Sequence, residues 1–197
     1  MYLFTVRHGE SEWNVRRKIC GMVDVSLTEK GWEQAREAAR ILKEHQQENQ
    51  IRHILVSPML RARQTASCIE EALSLTAVLE PRIHEIDFGD LEGVRYDDPR
   101  YQERRSDPFN RFPGGESLVD VAARLYQVID TLPERFHGEN VLWVCHGMMS
   151  RLTATYFSSY TFQAFQDIRI RNCQIVRYDM ADGRKAHHSI KDPAQFG

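Results

Sequence analysis

The sequence predicts an α/β domain: a three-layer α/β/α sandwich around a mainly parallel central sheet. Three observations carry this. Short β-rich runs alternate with longer segments of helical period along the whole chain. The run 141–145, Val-Leu-Trp-Val-Cys, is apolar throughout, as expected of a strand buried on both faces. Two such runs end in His-Gly, at the carboxyl end of a strand, where open α/β sheets bind their ligands.

The elements follow in order. Residues 2–6 read as the first strand. Thr28 is a candidate N-cap, and Trp32, Ala35, Ala38, Ala39 and Leu42 then recur at helical spacing with charged residues opposite. The polar stretch 44–50 reads as a frayed helix end and loop. Ile54, Leu55 and Val56 form a second strand, and Ser57-Pro58 starts the next helix. A third strand is expected over 76–79, closed by Pro81. Residues 82–116 show no sustained period and read as an irregular substrate-lid region with one short helix. Ser117 resembles an N-cap, and Leu118, Val121, Ala122, Leu125, Val128, Ile129 and Leu132 give a clear helical stripe. After the strand 141–145 comes a helix over 149–157, then strands at Ile175, Val176 and Tyr178 and at 186–190. Residues 1–197 are expected to form one domain, with no linker and no internal repeat.

Composition narrows the function classes. Lys and Arg number 26 against 28 Asp and Glu, a net charge of −2 without a nucleic-acid footprint. The longest apolar run has five residues, where a membrane span needs roughly 20. Four scattered cysteines suggest neither a disulfide framework nor a thiolate metal site. A reducing cytoplasm is the expected location, and no feature specifies an oligomeric state.

The chemistry begins with Arg7-His8-Gly9 after the first strand and Cys145-His146-Gly147 after the strand 141–145. If these strands lie parallel, both imidazoles meet in one crevice, and glycine after each allows close backbone approach to a ligand. Arg7 precedes His8, and Arg61 falls just past the strand 54–56, on the first turn of the next helix. Guanidinium forks and a helix N-terminus suit a phosphate-sized dianion.

Arg7-His8-Gly9-Glu10-Ser11-x-Trp13-Asn14, Gly21-x-x-Asp24-x-x-Leu27-Thr28 and Ser57-Pro58-x-x-Arg61-Ala62 together resemble the histidine phosphatase superfamily, also called phosphoglycerate mutase-like. Glu85-x-x-Phe88-Gly89-x-x-Glu92-Gly93, Pro113-Gly114-Gly115-Glu116-Ser117 and Val144-Cys145-His146-Gly147 continue the resemblance in the same order. It implies the phosphoglycerate mutase-like fold and a phosphatase that needs no metal or other cofactor. The implied catalytic set is His8, Glu85, Arg7, Arg61 and His146. His8 is the nucleophile that becomes phosphohistidine, Glu85 is the proton donor, and Arg7, Arg61 and His146 hold the phosphate. Asn14, Cys20, Gly21, Gly147 and Met148 are expected to bind phosphate or substrate. His8 must be neutral to attack, and the neighbouring arginines disfavour its protonation. Its other ring nitrogen should donate to a backbone carbonyl. A bound phosphate dianion favours the protonated carboxyl of Glu85. Glu10 and Asp24 are expected to hold structure.

The sequence departs from the family pattern at Cys20, at Met148 and at Ser26, none of which carries a catalytic role. Substrate selection is expected in 94–112 and around Cys20 to Asp24. Arg95, Arg100, Arg104, Arg105 and Arg111 are there nearly cancelled by Asp97, Asp98, Glu103 and Asp107, so a polyanionic substrate is not demanded. The expected partner is a small-molecule phosphomonoester. Sugar phosphates, phosphoglycerate, nucleotides, a ribazole phosphate and phosphoproteins all suit the motifs. Mutase-type phosphoryl transfer is the alternative. Glycolytic mutases of the family usually add a longer insertion and a closing tail, of which this short chain shows little sign. A non-catalytic phosphate-binding module, and a metal site built from His8, His146 and Glu85, are weaker alternatives.

Overall fold

The computed structural model describes residues 1–182. Five strands form one sheet in the order β3-β2-β4-β1-β5. They are β1 (Tyr2–Arg7), β2 (Ile51–Val56), β3 (Ala77–Leu79), β4 (Asn140–Cys145) and β5 (Ile175–Asp179). The first four run parallel, and β5 joins the β1 edge antiparallel. The strand expected at 186–190 lies outside the described residues.

Side-chain alternation divides the core between the two faces of the sheet. Phe4, Val6, Ile54, Val56, Leu142 and Val144 pack under α2 (Glu29–Glu44) and α4 (Leu60–Leu73). Leu3, Leu55, Val141, Trp143 and Cys145 pack with Leu125, Val128 and Leu132 of α6 (Leu118–Arg135) and with Met149 and Leu152 of α7 (Gly147–Phe157). The result is the expected three-layer sandwich. Strand β4 is apolar on both faces because each face is covered by helices.

Thr28 caps α2 as expected, its hydroxyl accepting from Gly31 N–H at 3.0 Å. The small residues Ala35, Ala38 and Ala39 are buried, opposite Ala62 and Ala66 of α4. Ser117 caps α6 through a reciprocal pairing with Asp120. Several sequence expectations shift. Helix α4 starts at Leu60, not at Ser57-Pro58, because Met59 still has extended backbone. The stretch 44–50 is not loop: α2 runs to Glu44, and α3 (Gln46–Asn49) follows before Gln50 turns left-handed. The third strand is only three residues long. Helix α7 begins at Gly147. The short helix expected within 82–116 is α5 (Pro99–Arg105), capped by Asp98. Helices α1 (Glu12–Val15) and α8 (Phe162–Asp167) have too few residues to show a period in sequence. Among the described residues, no helix is long and apolar enough to cross a membrane.

Candidate active site

The sheet register brings the two histidines together. Strands β1 and β4 pair with Arg7 opposite Cys145, and His8 N–H continues the ladder to the Cys145 carbonyl at 2.9 Å. The imidazole centroids then stand 5.3 Å apart. His8 is 4% exposed and His146 is fully buried.

His8 Nδ1 lies 2.7 Å from the Gly9 carbonyl oxygen, which can only accept, so Nδ1 carries the hydrogen and Nε2 keeps its lone pair. Burial first, then the Arg61 and Arg7 guanidiniums, hold His8 well below the ordinary histidine value of 6.5, against the opposing hydrogen bond to Gly9. His146 is lowered in the same way, by burial and then by Arg61 and His8. Its Nε2 lies 2.7 Å from Ser57 Oγ, which itself accepts from Met59 N–H at 3.4 Å. A hydroxyl can donate its proton or accept at its second lone pair, so Ser57 holds Nε2 in either tautomer, and His146 Nδ1 is buried without a hydrogen-bond partner.

Arg7 Nη1 donates to the Ile170 carbonyl at 2.6 Å, and Arg61 spends both terminal nitrogens on the carbonyls of Val23, Cys20 and Gly21. The Nε atoms of both arginines are buried without a hydrogen-bond partner. Unpaired buried donors are costly, and two guanidinium N–H groups left so beside His8 describe a cradle for an anion. Glu85, 7% exposed, has Oε1 accepting from its neighbour Ile86 N–H and Oε2 from Met148 N–H, both at 3.0 Å. Gly147 lies between the charges: a Cβ there would sit 3.5 Å from Arg7 Nε and 3.8 Å from Glu85 Oε2.

These groups face a cavity of about 510 Å³, walled by Arg7, His8, Asn14, Cys20, Glu85, Gly147 and Met148 among others. Arg61 and His146 stand fully buried behind them. Asn14 uses its carbonyl oxygen in the capping box of α1, where it also accepts from Asn172 Nδ2 at 3.3 Å. Cys20 directs its thiol to the Val23 carbonyl at 3.7 Å, and burial pushes that thiol up to about 11. Gly21 is placed differently from its neighbours. Its N–H donates to Glu92 and its carbonyl accepts from Arg61, so it holds the loop and does not wall the cavity. Gly9 also departs from expectation: its close backbone approach is to Gly31, whose carbonyl oxygen would lie 2.3 Å from a Cβ. Asp24 accepts from Leu60 N–H at 2.8 Å and Glu10 bonds Thr28 and Lys30, so both hold neighbouring segments.

Sequence reasoning did not reach Ser57, Thr65, whose hydroxyl accepts from Gly9 N–H at 3.0 Å, or Asn172, which donates to the His8 carbonyl at 2.8 Å. Nor did it reach Arg17, Arg151, or Ile168, Arg169 and Ile170 in the wall. Arg151 had a usable signal: it falls one helical turn after Gly147. Among the described residues, no group of three or more His, Cys, Asp or Glu side chains is arranged to hold a metal ion. A second cavity of about 600 Å³, between α6, α7 and α8, has no charged residue in its wall.

Residues 3–193 match the histidine phosphatase superfamily, branch 1. The chain belongs to that superfamily. A probable phosphoglycerate mutase GpmB of Cronobacter sakazakii is 32% identical over 91% of this chain and 85% of its own length. Its counterpart in Yersinia pestis is 34% identical over the same shares. Among solved structures, a putative alpha-ribazole-5'-P phosphatase of Escherichia coli superposes with a TM-score of 0.77 at 25% identity, covering 90% of this chain and 89% of its own. A mycobacterial glucosyl-3-phosphoglycerate phosphatase gives 0.74 at 26% identity, covering 89% and 88%. This histidine phosphatase superfamily member therefore has the phosphoglycerate mutase-like fold, among relatives that catalyse phosphoryl transfer.

Proposed function

We propose that this chain is a metal-independent phosphomonoesterase that hydrolyses a small phosphorylated metabolite through a phosphohistidine on His8. The observation that carries it is a buried His8 whose Nδ1 is tied to the Gly9 carbonyl while Arg7 Nε, Arg61 Nε and His146 Nδ1 are buried without partners nearby. In the first step His8 Nε2 attacks phosphorus and the ester P–O bond breaks. The leaving alkoxide takes its proton from Glu85, and the Nδ1 hydrogen bond to Gly9 stabilises the phosphorylated ring. The arginines and His146 offset charge on the transferring oxygens. In the second step Glu85 takes a proton from water, the hydroxide attacks phosphorus, and the N–P bond breaks. Inorganic phosphate leaves and His8 is neutral again.

The phosphatase names of the two solved relatives support hydrolysis. The mutase name of the curated relatives supports the second reading, phosphoglycerate mutase-type transfer. Turnover quenched in alkaline denaturant should leave a base-stable, acid-labile phosphoryl adduct on wild type and none on His8→Ala. Incubation with 3-phosphoglycerate and catalytic 2,3-bisphosphoglycerate should release inorganic phosphate. Isomer formation without release would replace the hydrolase reading by the mutase one.

A further inference from the structure

The block Pro113-Gly114-Gly115-Glu116-Ser117 has no residue in the wall of the catalytic cavity. Folding sets it against the segment that carries the proposed acid. Residues 84–88, with Glu85 among them, belong to no helix or strand and lie between two single 3₁₀ turns, Pro81–Ile83 and Gly89–Leu91. A backbone without regular hydrogen bonds needs partners from elsewhere to hold one conformation.

Arg124, on α6, supplies them. Each of the five N–H groups of its guanidinium has an acceptor. Nε and Nη2 fork onto the two carboxylate oxygens of Glu116 at 2.8 and 3.0 Å. Nη2 also donates to the Glu85 carbonyl at 3.2 Å, and Nη1 donates to the Arg82 carbonyl at 2.6 Å and to Met149 Sδ at 3.6 Å. His84 Nδ1, 2.6 Å from the same Glu85 carbonyl, donates there too, so its 3.2 Å approach to Arg124 is not a hydrogen bond. Glu116 completes the frame. Its Oε2 accepts from Asp87 N–H at 3.0 Å, and its own N–H donates to the Asp87 carbonyl at 2.9 Å. Gly115 permits this approach, since a Cβ there would lie 2.3 Å from the Asp87 carbonyl oxygen. The side chains of Arg124 and Glu116 are only 15% and 20% exposed, so the pair is sheltered from the solvent that weakens surface ion pairs.

The consequence falls on the carboxyl of Glu85. Its Oε2 accepts from Met148 N–H at 3.0 Å, a first-turn donor of α7 with no partner inside the helix, and the cap residue His146 offers that turn no side-chain acceptor. Arg124 touches Met149, the next residue, as well as the Glu85 carbonyl. One guanidinium thus ties the segment that carries the carboxyl to the helix end that the carboxyl faces.

We propose that Arg124 and Glu116 are positioning residues for the proton donor: they fix the backbone on both sides of Glu85 and so hold its carboxyl at the N-terminus of α7, facing the leaving oxygen. This rests on the phosphomonoesterase reading above, in which Glu85 protonates that oxygen.

Leaving groups of different basicity test it. An alkyl ester, 3-phosphoglycerate, needs the proton, whereas p-nitrophenyl phosphate, whose phenolate is a weak base, needs it far less. Because kcat/KM covers only the steps up to loss of the alcohol, hydrolysis of the phosphohistidine does not enter. In Arg124→Gln and in Glu116→Gln, the ratio of kcat/KM on the alkyl ester to that on the nitrophenyl ester should fall about tenfold or more, in the direction set by Glu85→Gln. With no acid left to position, adding Arg124→Gln to Glu85→Gln should leave the ratio unchanged. Each ratio is taken within one variant, so lost folding does not imitate the effect. Arg124→Lys keeps the charge without the fork and should lower the ratio too, which serves if Arg124→Gln does not fold. Equal losses on both esters, or a further fall in the double variant, overturn the proposal. If wild type releases phosphate from neither ester, the hydrolase reading fails by itself. Amide hydrogen exchange decides in that case, and wherever the alkyl ester is too slow to measure. Met148 N–H should exchange about tenfold faster in Arg124→Gln than in wild type, as it should in Glu85→Ala, and unchanged protection removes the positioning role.

Discussion

At the residue scale, the site depends on which hydrogens are already engaged. His8 gives its Nδ1 hydrogen to Gly9, which leaves Nε2 for its remaining task, and His146 is held through Nε2 by the Ser57 hydroxyl. Gly147 contributes by what it lacks. A methyl group there meets only side-chain atoms, the nearest being Arg7 Nε at 3.5 Å, so the backbone can accept it. The methyl would nevertheless fill the space between Arg7 and Glu85 where the phosphoryl group and leaving oxygen are expected. Gly147→Ala should therefore keep its unfolding free energy within about 1 kcal/mol of wild type while kcat/KM falls by about 10²-fold, as misplacement of reacting groups does. Circular dichroism melts with parallel phosphatase assays check this. Unchanged activity would mean that the reacting groups do not meet at that position.

At the element scale, helix α4 carries Arg61 but has no cap of its own, since Met59 at its N-cap offers no side-chain acceptor. Asp24 supplies it from a distant loop, accepting from Leu60 N–H at 2.8 Å, one residue before Arg61. The same loop receives the Arg61 guanidinium on the carbonyls of Cys20, Gly21 and Val23, and Glu92 holds it from the other side through Gly21 and Met22. Loop and helix thus position each other. Asp24→Ala should lower stability by about 1 kcal/mol, the usual effect of a lost cap, and Asp24→Asn should retain most of it. Because Arg61 lies on the freed turn, Asp24→Ala should also weaken inhibition by inorganic phosphate. Urea titrations and phosphate inhibition constants measure the two effects. A stability loss with unchanged phosphate affinity would show that Arg61 is held by its carbonyls alone.

At the scale of the whole molecule, burying two neutral histidines makes stability depend on pH. Both are held well below 6.5 when folded and return to about 6.5 when unfolded, so below that pH the unfolded chain binds protons the folded chain refuses. Stability is therefore undiminished by these groups above about pH 6.5 and falls as the pH drops below it. The slope approaches about 1.4 kcal/mol per pH unit for each histidine, until the folded rings protonate. Urea unfolding of wild type, His8→Asn and His146→Asn at pH 7.5, 6.0 and 5.0 should show a shallower acid loss in each variant. Parallel curves would mean that the rings are protonated in the folded protein.

How much was legible in the sequence follows from the same distinction of scales. Strand β4 and helix α6 were readable because a five-residue apolar run and a sustained helical stripe are local signals that packing only confirms. His8 and His146 were readable because each follows its strand directly, and Arg61 because it follows β2 closely. Gly9 was misread because its constraint comes from Gly31, a neighbour fixed only once α2 packs. Ser57, Asn172 and the wall from Ile168 to Ile170 reach the histidines through strand order and the chain path after α8, neither of which has a local period. The near-cancellation of charge in 94–112 likewise held only along the chain, since folding pairs most of those arginines and turns Arg105 to the cavity.

The sequence alone determined the alternating α/β pattern, the two His-Gly strand ends and the superfamily, because each depends on residues close together in the chain. The tertiary structure decided which ring nitrogen His8 keeps free, which loop holds Arg61, and which arginines line the cavity without a carboxylate partner. Those depend on distances between segments far apart in sequence, and only packing sets such distances.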